Sequence, residues 1–216
     1  MKIKNKIAAA LTAAYLAMAS VSPAKAGGYI NLFSHTDIKE EKTEPYGEVF
    51  ISKKLSDYLA GELFAEANYL DGSLDNIYSE LTASYTSTEK LPGLGLWAEN
   101  VMMDGAEDFY RGGLMWSGSP CKDAFFLARI GYGTNMEGDD ATARIIFNLN
   151  LDKGSVGFMV NSQSIASGHV YSEIPRLEYK LNEDISLAGE GVYMRNVIDD
   201  KVEEDLGVRA GLRVNF

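Results

Sequence analysis

Along the last eleven positions of the chain every second residue is apolar. Leu206, Val208, Ala210, Leu212, Val214 and Phe216 alternate with Gly207, Arg209, Gly211, Arg213 and Asn215. Successive side chains of a strand point to opposite faces, so this run has one apolar face and one small or charged face. Leu59, Gly61, Leu63, Ala65, Ala67 and Tyr69 alternate in the same way with Ala60, Glu62, Phe64, Glu66 and Asn68. So do Ala141 to Leu151 and Ile185 to Met194. Period two predicts twelve strands, near 28–35, 46–53, 57–69, 76–86, 94–103, 108–117, 124–133, 140–151, 155–163, 169–180, 185–195 and 205–216. Ten is the alternative count.

The connections alternate in character. One set is tight: Lys53 to Ser56, Ser87 to Gly93, Ser117 to Asp123, Asp152 to Gly154 and Leu181 to Asp184. The other is acidic and often longer: Ser34 to Pro45, Asp71 to Asp75, Asp104 to Glu107, Thr134 to Asp140, Ser162 to Gly168 and Asn196 to Glu204. Short turns on one side and longer loops on the other are the arrangement of an outer-membrane barrel. An even strand number puts both termini at the short-turn side. No apolar run after residue 26 approaches the ~20 residues of a spanning helix, so any crossing is made by strands. The expected fold is all-β, a transmembrane antiparallel up-and-down barrel over residues 27–216.

Residues 1–26 read as a cleaved secretory signal. Lys2, Lys4 and Lys6 precede the apolar stretch Ile7 to Val21, and Ala24-Lys25-Ala26 supplies the small-x-small cleavage pattern. Gly27-Gly28 stands where a lipoprotein would carry Cys. Of 20 basic residues, the four lysines of the signal go with it, leaving 16 against 31 acids, a net charge of −15. So acidic a chain is no nucleic-acid binder, since affinity for phosphate backbones comes from Lys and Arg. Cys121 is the lone cysteine, in a tight turn, which excludes an intrachain disulfide.

Aromatic residues fall near strand ends on the apolar face. Tyr171 and Tyr179, eight residues apart, would share the outward face about 20 Å apart along the membrane normal, close to the ~25 Å apolar band. Tyr69, Tyr110, Tyr132 and Tyr193 would join the outer belt, and Tyr85, Trp116, Phe126 and Phe216 the inner one.

The terminal stretch Gly207 to Phe216 resembles the last strand of Gram-negative outer-membrane β-barrels. The resemblance implies an outer-membrane location, contact with lipid and lipopolysaccharide, and Phe216 as the signal read by the barrel-assembly machinery. The turn Tyr179 to Leu187 resembles a periplasmic turn of porin-like barrels. Size and strand number are similar to those of the small twelve-stranded porins for acidic oligosaccharides, whose lumens carry arginine tracks. A homo-oligomer is compatible with the class.

The second face of the strands holds the candidate chemistry. Glu48, Glu62, Glu66, Glu80 and Glu99 come from the early strands, and Arg111, Arg129, Arg144, Arg176, Arg209 and Arg213 from the later ones. Face parity across the turn at 181–184 sets Lys180 opposite Ser186, Glu178 opposite Ala188, and Arg176 opposite Glu190. These residues are expected to line a pore, acids on one wall and guanidinium groups on most of the other, with a transverse field between them. The other outcome is that they pair and fill the interior, because twelve strands lie between the filled eight-stranded barrel and the open channels of 16–18.

No catalytic group is legible. His35 beside Ser34 and His169 after Ser164 and Ser167 are the only histidines, and strand neighbours such as Ser34 and His35 point to opposite faces. The loop acids Asp139-Asp140, Asp199-Asp200 and Glu203-Glu204-Asp205 lack the spacing of a calcium loop. No metal and no cofactor are expected. The expected function is a porin-like channel for ions or small solutes, anionic ones included. The alternative is a non-conducting structural or adhesion barrel that displays acidic extracellular loops.

Overall fold

The computed structural model describes residues 26–70, 73–87, 91–103, 109–135, 138–164, 168–198 and 201–216. The expected signal peptide lies outside them, save for Ala26. Twelve strands follow in order: β1 (Ala26–Asp37), β2 (Lys42–Lys54), β3 (Leu59–Leu70), β4 (Ser73–Thr86), β5 (Leu94–Met103), β6 (Phe109–Gly118), β7 (Ala124–Asn135), β8 (Gly138–Leu151), β9 (Gly154–Ser164), β10 (His169–Lys180), β11 (Ile185–Ile198) and β12 (Lys201–Asn215). Each pairs with its neighbours in sequence, and β1 also pairs antiparallel with β12, so the sheet closes into a barrel. At the seam Gly28 and Phe216 exchange backbone hydrogen bonds of 3.0 and 3.1 Å. The start of β1 and the C-terminal Phe216 therefore meet at the short-turn rim. Closure matters because an open edge would leave unpaired N–H and C=O groups facing lipid.

Strands run from 10 to 15 residues, against the 9–11 or so that a tilted span requires. The surplus lies on the loop side. β2 begins at Lys42 rather than 46, and β12 at Lys201 rather than 205, with Val197 opposite Val202 in the protruding hairpin. Beyond the membrane both faces of a hairpin meet water, so hydrophobic alternation fades while backbone pairing continues. At the other rim the turns are tight. The Asn182 carboxamide oxygen accepts from the N–H groups of Asp184 and Ile185, at 2.9 and 2.8 Å. Gly93 closes its turn at φ 85°, a conformation that side chains disfavour.

The faces are inverted relative to a water-soluble barrel. Outward residues such as Leu32, Leu81, Leu114 and Ile130 are more than half exposed, whereas Glu48, Glu80, Glu99, Arg111, Arg129, Glu190 and Arg209 are buried inside. An apolar exterior around a charged interior is stable only with hydrocarbon outside, so the barrel is a membrane barrel. Tyr110 and Tyr132 stand exposed toward the loop side, and Tyr85, Trp116 and Phe216 toward the turns. Trp116 packs on Phe126 with ring centroids 5.6 Å apart. The side chain of Tyr69 lies outside the described residues.

One expected outward residue points inward. Against both β9 and β11 the register of β10 shifts between Glu173 and Arg176. Pro175 carries no N–H for the ladder, and Ile174 and Pro175 together oppose a single place on each neighbour. The bulge leaves Arg176, Glu178 and Lys180 inward and reverses parity above it. Tyr171 and Glu173 thus join the interior, and Tyr171 does not form a girdle pair with Tyr179.

Candidate functional site in the barrel lumen

Eleven residues singled out from the sequence, Glu62, Glu66, Glu80, Glu99, Arg111, Arg129, Arg144, Arg176, Glu190, Arg209 and Arg213, all project into the interior, where they divide into two clusters.

The first cluster spans β3 to β8. Arg111 lies directly opposite Glu99 and bonds it through Nε, and its Nη2 reaches Glu80 at 2.9 Å. Arg144, four strands from Glu80, meets both its carboxylate oxygens at 2.7 and 2.5 Å, a bidentate pair across the lumen. Arg129 reaches Glu62 at 2.7 Å and stands 3.9 Å from Glu99. Tyr78 also donates to Glu80, and Thr82 to Glu99 at 2.8 Å. Trp97 lies along this wall, its indole N–H on the Leu114 carbonyl at 3.1 Å. Its ring covers Gly131, where an added Cβ would come within 2.9 Å of the indole. The space left among Trp97, Arg111, Arg129, Thr142, Arg144 and Asn161 admits no water. This half of the interior is filled.

The second cluster spans β10 to β12 and β1 to the loop-side half of β3. Arg176 and Glu190 are directly opposed, as face parity requires, with Nε 3.5 Å from the Glu190 carboxylate and 3.1 Å from that of Glu173. Arg209 donates to the Tyr171 hydroxyl at 2.6 Å, lies 3.5 Å from Glu173, and stacks 3.6 Å above the Tyr46 ring. Arg213 binds Glu178 at 2.9 Å and the Asn31 carboxamide oxygen at 2.8 Å, and stands over Tyr29. Glu48 accepts from Asn31 and from Tyr46, and Tyr46 also contacts Glu66 at 2.7 Å.

The expected division into an acidic and a basic wall is corrected by these contacts. Glu173, Glu178 and Glu190 stand among the arginines, and the arginines of β6 to β8 reach over to the acids of β3 to β5. Charges taken out of water must be compensated within a few ångströms, so pairing replaces a lumen-wide field. Sequence reading missed Tyr46, Tyr171, Asn31 and Trp97 as interior partners, and Glu173 with them. Pro175 within a strand was the available signal for the last and for Tyr171.

His35 Nδ1 lies 3.4 Å from Arg209 Nε, and His169 Nδ1 lies 3.4 Å from the Asn196 carboxamide. Among the described residues no group of three His, Cys, Asp or Glu is arranged to hold a metal ion. The side chains of Asp139, Asp140, Asp199 and Asp200 lie outside the described residues.

A closed twelve-stranded barrel with an apolar exterior and a charged interior is the architecture of an outer-membrane β-barrel. No protein-family model matches the chain, and no curated protein matches it in sequence. Among solved structures it is similar to KdgM porin, with 12% identity and a TM-score of 0.58 over 88% of this chain and 99% of that one. It is also similar to KdgM porin in complex with disordered oligogalacturonate, with 13% identity and a TM-score of 0.56 over 88% and 99% of the two chains. The likeness is one of fold.

Proposed function

We propose that the protein works in the outer membrane as a porin-like channel for ions or small solutes, and not as an enzyme. The observation that carries this reading is the set of ion pairs strung across the interior of a membrane barrel. A scaffold alone could be filled with apolar side chains at no desolvation cost, whereas charged linings tune passage. Likeness in fold to a porin supports it. Anionic solutes belong to the proposed range only by exchange with the glutamates that already hold the six lumen guanidinium groups, since Arg binds carboxylate or phosphate bidentately. Residues 1–26 would direct export, Phe216 would be read by the barrel-assembly machinery, and the apolar belt would sit among lipid and lipopolysaccharide. The experiment is planar-bilayer recording of the purified protein, with discrete conductance steps expected.

A second reading, a non-conducting structural or adhesion barrel, is favoured by one fact. The Glu99 and Glu190 side chains are only 1% exposed, so the ion-pair mesh leaves little water at mid-lumen. A silent bilayer at verified insertion would select it.

A further inference from the structure

The arginines of the lumen are all engaged. Arg111 and Arg144 meet Glu80 and Glu99, and Arg129 meets Glu62. Arg176 and Arg209 meet Glu173, and Arg213 meets Glu178. Glu48 and Glu66 are inward carboxylates that stand outside these pairs. Glu48 is held by the neutral donors Asn31, at 2.5 Å, and Tyr46, at 2.9 Å. Glu66 is held by Tyr46, at 2.7 Å, and Asn68, at 3.4 Å. The two are direct cross-strand partners, which sets their Cβ atoms about 5 Å apart. Among the described residues neither makes an ion pair within 4 Å; Arg209 acts on both, and Arg176 on Glu48, only from farther off.

The Tyr46 hydroxyl has one proton and touches both carboxylates, so it can neutralise neither. Arg209, stacked on the same ring, directs its N–H groups to Tyr171 and His35. A separate observation points the same way. Glu190 is buried, yet neither of its oxygens accepts a hydrogen bond, and Arg176 and Arg213 stand off at 3.5 and 3.9 Å. This half of the lumen is short of positive charge.

We propose that Glu48 and Glu66 are the selectivity-determining residues of the lumen and make it prefer small monovalent cations to anions. The inference rests on the channel reading and deepens it. An anion entering the lumen must displace a built-in carboxylate from an arginine and leave that carboxylate uncompensated. A cation beside Glu48 and Glu66 displaces nothing and supplies the missing charge. Glu66, the less buried of the two, is the member open to the lumen.

The test is reversal potential in a KCl gradient across a planar bilayer. The unaltered protein should show a cation-preferring potential. One carboxylate about 10 Å from the ion path, at an effective dielectric of about 50 between protein and water, favours K⁺ and disfavours Cl⁻ equally and so changes their ratio roughly tenfold. Glu66→Gln and Glu48→Gln should each lower the ratio by about that factor, and the double variant should lower it further. Gln keeps the shape and the hydrogen bonds of each site, and heat-modifiable mobility on gels reports the folded barrel. Glu183→Gln, in an exposed turn, should leave the ratio unchanged. Preference for Cl⁻ in the unaltered protein, or a ratio unmoved in the double variant, would overturn the inference and leave the channel reading standing. Silence in every variant would overturn both.

Discussion

The two halves of the lumen use the same residue types to different ends. Between β3 and β8, Arg111, Arg129 and Arg144 face Glu62, Glu80 and Glu99, and each carboxylate meets at least one guanidinium. Across the seam, Arg176, Arg209 and Arg213 face Glu48, Glu66, Glu173, Glu178 and Glu190, so acid exceeds base. The first half is balanced, and its long reaches, Arg129 to Glu62 and Arg144 to Glu80, each tie together strands four apart. The second half relies on tyrosine rings, on carboxamides and on one Tyr hydroxyl shared by two acids. Balance makes a plug. Imbalance leaves a field, and a field can choose ions.

Breaking the balanced half should have the larger effect. Arg111→Met removes the guanidinium shared by Glu80 and Glu99 and leaves buried carboxylates short of a partner. Removing one member of a buried ion pair costs about 3–5 kcal/mol, and the urea midpoint of the folded barrel in detergent should fall accordingly. A midpoint unchanged from that of the unaltered protein would mean that the mesh is solvated rather than structural.

In the unbalanced half the effect should fall on selectivity more than on stability. Glu190→Gln leaves Arg176 with Glu173 alone and moves the reversal potential toward anions. Arg176→Gln moves it toward cations, each by up to about tenfold in permeability ratio. Shifts of the same sign would contradict the inward facing of both residues.

Much of this was legible in the sequence because a barrel obeys parity. Leu206 to Phe216 alternates without a break, and β12 follows it. The Arg176–Glu190 register follows from a tight turn between faces that cannot slip by one residue. Parity failed where the backbone leaves the ladder. Tyr171 shares a sequence face with Tyr179, but the bulge at Ile174 and Pro175 turns it inward, and a proline inside a strand is the mark of such a bulge. The pairing of charges was not legible. Glu80 and Arg144 are 64 residues apart, and only the stagger of a closed barrel brings them together. The loop-side strand ends were hidden for a different reason: in water on both faces, β2 from Lys42 and β11 to Ile198 need no hydrophobic period.

Single-channel recording of the double variant Arg144→Ala/Glu80→Ala, beside the unaltered protein, tests the central claim most directly. The two changes cancel in charge and remove the bidentate pair that crosses the lumen. If the ion-pair mesh is the constriction of a channel, both proteins should give discrete steps, and those of the double variant should be larger at the same salt. Equal steps in both, or no steps in either at verified insertion, would contradict it.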